Sequence, residues 1–196
     1  MSALALRFVL LVFYLVALPA FAAGSAEPKE KLTDAELLMQ LRQGGLNVYF
    51  RHVSTDFAQS DENTFDYEDC AKQRNLSDQG REEARRIGTA IRRLEIPVAE
   101  VLASPYCRTT ETATLVFGKA TKSTEVFDEG LAKLLATPTP PGSNRGLVSH
   151  GNPFLHVVGP PLLAEGEAAV VRPTGDGYTV IARIRIDEWE RLLAAK

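Results

Sequence analysis

Apolar and polar positions divide the chain into one long apolar leader and a series of short periodic segments. Phe8 to Leu18 is an uninterrupted apolar run behind Arg7, closed by Pro19 and Ala20-Phe21-Ala22. A basic residue, an apolar stretch and a small-residue close make the pattern of a secretory signal peptide. The run is short for a hydrocarbon core of ~30 Å. The expectation is cleavage after Ala22, leaving residues 23–196 as one domain in the periplasm or secreted, with no stable membrane insertion afterwards.

Beyond the leader, Leu37, Leu38 and Leu41 predict a helix over Thr33–Gln43, with Thr33 as its cap. Leu46–Phe50 predicts a short buried strand ending at Arg51-His52. Thr55 to Asn75 is polar, acidic and without a period, which predicts a long loop, and ordered loops of that length in compact domains usually serve function. Ala84, Ile87, Ile91 and Leu94 recur at spacings of three and four, predicting a helix capped by Ser77. Its early Asp78, Glu82 and Glu83 and late Arg92 and Arg93 suit the helix dipole. Val98–Ala103 predicts a strand, Tyr106–Phe117 a helix, Thr124–Phe127 a further strand, and Leu147–Ser149 a third core strand. Ala168–Arg172 and Tyr178–Ile184 predict a hairpin turning at Thr174-Gly175-Asp176-Gly177, before a closing helix over Asp187–Leu193. Alternating strands and helices imply a three-layer α/β/α sandwich around a mostly parallel sheet.

Composition narrows the function. With 196 residues, 45% hydrophobic and 24% charged, the chain suits one globular domain. A net charge of -3 lacks the basic excess of a nucleic-acid partner. In an oxidising compartment Cys70 and Cys107 are expected to form a disulfide. A cysteine phosphatase would need an arginine six positions after its cysteine, but Leu76 and Ala113 stand there. With three histidines and two paired cysteines, neither a metal nor another cofactor is expected.

Three strand ends carry unusual residues: Arg51-His52, then Ser104-Pro105-Tyr106-Cys107-Arg108, then His150-Gly151. Ligands of open α/β sheets bind beyond the carboxyl ends of strands. If these strands run parallel, two arginines and two histidines meet at one edge. Arg108 would also lie in the first turn of a helix, where backbone N–H groups favour an anion.

Taken in order, Arg51-His52-Val53-Ser54-Thr55, Leu76-Ser77-Asp78-Gln79-Gly80, Ser104-Pro105 with Arg108 and Thr112-Ala113, and Ser149-His150-Gly151 resemble the histidine phosphatase superfamily, which includes phosphoglycerate mutase-like enzymes. The likeness is to its small exported members. Val53 departs from the pattern, which more often has glycine after the Arg-His pair. The resemblance implies a phosphoglycerate mutase-like fold, a small phosphorylated substrate and a metal-free phosphatase. His52 would attack phosphorus and form a phosphohistidine, while Arg51, Arg108, His150 and Thr55 would bind the phosphoryl oxygens. The glutamate that many members use to protonate the leaving group is replaced by Lys133. Glu167 is the first substitute, with Asp56 and Glu129 behind it. A catalytically silent phosphate-binding protein on the same fold is the alternative, and Lys133 is its support.

Overall fold

The computed structural model describes residues 25–28, 31–64 and 66–196. The expected leader, 1–22, lies outside them. Among the described residues no helix is long and apolar enough to cross a membrane.

Six strands form one sheet: β1 (Asn47–Arg51), β2 (Val98–Ala103), β3 (Thr121–Lys122), β4 (Asn144–Ser149), β5 (Ala168–Pro173) and β6 (Tyr178–Ile184), in the order β3-β2-β4-β1-β5-β6. The first four in that order run parallel, and β5 and β6 add an antiparallel edge. Residues along β1 alternate between two cores. Val48 and Phe50 face the cluster of α1 (Asp34–Gln43), α2 (Asp78–Arg93), α3 (Cys107–Phe117) and α6 (Glu188–Leu192). Tyr49 faces the cluster of α4 (Gly130–Ala136) and α5 (Gly151–Val158). The result is the expected three-layer α/β/α sandwich.

Local chemistry explains most element ends. Thr33 and Glu36 form a reciprocal capping box at α1, and Ser77 Oγ accepts from the Gly80 N–H at α2. One expectation fails: Thr124–Val126 is a turn of 3-10 helix rather than a strand, and β3 precedes it. The Ser123 hydroxyl accepts from the Glu125 N–H and Phe127 N bonds back to Thr124 O, so local bonds win over a ladder. Cys70 and Cys107 form the expected disulfide, which ties the 55–75 loop to the first residue of α3.

Candidate active site

β2, β4 and β1 are neighbours in the sheet, so the three residue sets at their carboxyl ends meet. The backbone continues the pairing past the strands: His52 N donates to Ser149 O at 3.0 Å, and Ser104 N donates to Val148 O at 2.9 Å. Arg51, His52, Arg108 and His150 all line one cavity of about 330 Å³, and the loop adds Arg74.

The surroundings of His52 are built from the other motif residues. Its Nδ1 lies 2.9 Å from Val53 O, which fixes a proton on Nδ1 and leaves the lone pair on Nε2. Val53 and Ser54 are held from two sides. Val53 N donates to Thr112 Oγ1 on α3, and Ser54 N donates to Glu83 Oε2 on α2. Ser77 N and Oγ both donate to Ser54 O, at 3.1 and 3.2 Å. A Cβ on Gly80 would stand 2.0 Å from Ser54 O, so only glycine lets α2 approach this closely. The Leu76–Gly80 motif thus fixes the backbone carrying the nucleophile candidate.

His150 is oriented by hydroxyls. Thr109 Oγ1 lies 2.8 and 2.7 Å from the carbonyls of Ser104 and Tyr106, which can only accept. Its proton is therefore committed, and it accepts from Ser104 Oγ at 2.8 Å. Ser104 Oγ in turn accepts from His150 Nε2 at 3.0 Å. Neutral His150 thus carries its proton on Nε2. The two imidazoles meet edge-on, 5.5 Å between centroids. Burial first, with the charges of Arg108, Arg51 and Arg74, pushes His52 down to about 3, despite the opposing bond to Val53 O. The same desolvation and guanidinium charges hold His150 well below its ordinary value.

The guanidinium groups are only partly satisfied. Arg51 Nη1 donates to Leu163 O at 2.8 Å, and its Nη2 lies 3.5 Å from Glu165 Oε1. Arg108 Nη1 donates to Asp61 Oδ1 at 3.0 Å and to Arg74 O at 3.1 Å. Burial lowers Arg108 from its ordinary value, with Asp61 opposing. The Nε atoms of Arg51, Arg74 and Arg108 are all buried without a partner among the described residues. The three guanidinium groups line one cavity, which suits a polyanion with several acceptor oxygens.

Four expected site residues lie elsewhere. Glu167 turns away from the cavity: its carboxylate takes Arg183 Nη2 at 2.7 Å and caps Ala164 N at 2.8 Å. These bonds hold it below the usual carboxylate range against its own burial. Thr55 donates its hydroxyl to Glu165 Oε1 at 3.0 Å rather than into the cavity. Asp56 bonds Ala58 N and Gln59 Nε2 and faces a second cavity. Neither it nor Glu129, at the start of α4, lines the site.

Sequence reasoning missed Arg74, Glu165 and Asp61. Arg74 stands two residues before Leu76, and this position next to a recognised motif was its available signal. Glu165 joins Arg51 and Thr55 and lies 4.0 Å from His52 Nδ1.

The second cavity, beside the disulfide, is larger at about 850 Å³, but it holds neither histidine. Its Arg81 is paired with Glu111 at 2.7 Å and with Asp78 at 3.2 Å, so the free cationic character lies in the smaller cavity. Among the described residues no group of three His, Cys, Asp or Glu side chains is placed to hold a metal ion.

Comparison with known proteins points the same way. The model of the histidine phosphatase superfamily (branch 1) matches residues 50–132, which span Arg51, His52, Arg74 and Arg108. No curated protein sequence matches the chain. Among solved structures, the protein histidine phosphatase SixA complexed with tungstate is 18% identical, covers 73% of this chain and 98% of its own, and superposes with a TM-score of 0.55. A phosphoglycerate mutase from Bacillus anthracis str. Sterne is 11% identical, covers 78% and 99%, and gives a TM-score of 0.52. These likenesses are of fold.

Proposed function

Because residues 50–132 match the histidine phosphatase superfamily, we propose that the chain is a member and hydrolyses a phosphate monoester through a phosphohistidine formed on His52. The observation that carries this reading is the bare Nε2 of a buried, neutral imidazole in one cavity with the guanidinium groups of Arg51, Arg74 and Arg108. Arg51, Arg74 and Arg108 bind the non-bridging oxygens and hold phosphorus in line with Nε2. As the N–P bond forms, Val53 O stabilises the charge that develops on the ring at Nδ1–H. His150, whose neutral ring spends its one N–H on Ser104, donates to the phosphoryl group only once the bound anion draws a second proton onto the ring. Water then cleaves the N–P bond and returns His52 neutral. The disulfide supports an oxidising compartment, and export by the apolar leader is part of the proposal.

The test is incubation with p-nitrophenyl phosphate. The wild type releases nitrophenolate and accumulates an acid-labile phosphoenzyme, and His52→Ala lowers turnover by about 10³-fold or more. Phosphate binding without release would make the chain a binder on a phosphatase fold, and turnover surviving in His52→Ala would remove His52 as nucleophile.

A further inference from the structure

From the wall of the same cavity and the carboxylates it lacks, we infer that the substrate is an aryl phosphate, a phosphoryl group carried on a phenolic oxygen. This rests on the hydrolase reading above and adds the chemical class of the leaving group.

Beyond its cations and the two imidazoles, Gly151, Asn152 and four largely apolar residues, Tyr106, Phe127, Pro153 and Leu162, line the cavity. The ring of Tyr106 lies 4.9 Å from that of Tyr67 and 6.4 Å from that of Phe127. Tyr106 and Phe127 both meet His150 edge-on, at 4.9 and 6.2 Å. Tyr67, Tyr106 and Phe127 therefore form one aromatic cluster beside His150. Of the four exposed large apolar side chains among the described residues, only Met39 has no link to this rim. Leu162 lines the cavity, Tyr67 stacks on Tyr106, and Phe57 lies under the Arg74 guanidinium at 5.0 Å. Exposed apolar surface concentrated at the mouth of a polar pocket marks the contact for an apolar ligand part.

The second observation is chemical. Among the described residues no Asp or Glu lines the cavity. The two nearby carboxylates are engaged, Glu165 by Thr55 and Arg51 and Asp61 by Arg108 and Arg74 N. An alkyl ester must expel an alkoxide whose conjugate acid has a pKa near that of water, about 15.7. A phenol ionises near 10, so phenoxide leaves as the anion. In the step proposed, the Nε2 lone pair of His52 forms the N–P bond while the P–O(aryl) bond breaks. The bonding pair goes to the phenoxide oxygen, which takes its proton from water after release. Water then attacks phosphorus, giving inorganic phosphate and neutral His52. No acid and no further reactant is needed.

Three probes separate the two observations: phenyl phosphate has ring and phenolic leaving group, acetyl phosphate has an acidic leaving group without a ring, and glycerol 3-phosphate has neither. General acids contribute about 10²–10⁴-fold, so phenyl phosphate should exceed glycerol 3-phosphate in kcat/KM by at least about 10²-fold. Among ring-substituted phenyl phosphates, kcat/KM should climb steeply as the phenol becomes more acidic. Phe127→Leu, and the exposed Leu162→Ser as a variant that leaves the core untouched, should each lower the ratio of phenyl to acetyl phosphate turnover severalfold. Glycerol 3-phosphate turned over within tenfold of phenyl phosphate would overturn the assignment, as would equal losses for both other probes in the two variants. If none of the three loses phosphate and no phosphoenzyme forms, the hydrolase reading falls and the aryl assignment falls with it.

Discussion

The ligand-free protein should lose stability in mild acid through its two buried imidazoles. Desolvation and the neighbouring guanidinium groups hold His52 down to about 3 and lower His150 likewise. In the unfolded chain both titrate near about 6.5. Between those values the unfolded chain binds protons that the folded one refuses. The stability is therefore fully present above about pH 6.5 and is lost as pH falls towards 3. The slope approaches about 1.4 kcal/mol per pH unit per histidine. Integrated from pH 7 to pH 5, this is about 2 kcal/mol for each imidazole and about 4 kcal/mol for the pair, against a typical total of about 5–15 kcal/mol. Urea denaturation followed by the fluorescence of Trp189, the chain's single and fully buried tryptophan, reads the loss directly. His52→Asn and His150→Asn should each remove about 2 kcal/mol of the pH dependence. Saturating inorganic phosphate should oppose the loss, because a bound anion favours the protonated rings. A His52→Asn variant that keeps the full wild-type dependence would refute the reasoning.

Three further outcomes are expected. Arg74→Ala should weaken competitive inhibition by inorganic phosphate by about tenfold or more, since a charge-assisted hydrogen bond contributes about 1.5–3 kcal/mol; an unchanged inhibition constant would remove Arg74 from the anion site. The Cys70→Ser, Cys107→Ser double variant should unfold with about 4 kcal/mol less stability on the chain-entropy model, given the sequence separation of 37, with KM rising more than kcat falls. Gly80→Ala places a methyl group on Ser54 O; it should destabilise by about 3 kcal/mol and depress turnover, and a wild-type melting temperature would show that the helix can retreat freely.

What was legible in the sequence was what periodicity and local chemistry determine. β1, β2 and α2 follow from apolar spacing and from the Ser77 cap, and adjacency of the strand ends follows from parallel α/β topology. The general-acid expectation at Glu167 failed for a reason outside local sequence. Its neighbour Ala168 pairs with β6, which brings Arg183 across the hairpin to capture the carboxylate. Beyond its place next to the Leu76 motif, Arg74 was hard to read for the opposite reason: it sits in an aperiodic loop whose path depends on the disulfide and on Gln73, which accepts from Cys107 N at 2.9 Å. Nothing in the spacing of 55–75 announces that such a residue returns to the strand ends.

The bridge between Cys70 and Cys107 has an electrostatic consequence. Cys107 adjoins Arg108, and Cys70 stands four residues before Arg74, so the cross-link confines two like charges to one small volume. Without a ligand those charges repel, and an unanchored loop would relieve the repulsion by swinging outward. The covalent tie charges that repulsion to folding, once, instead of to every encounter with substrate. Each arriving phosphate then meets a field already focused on it.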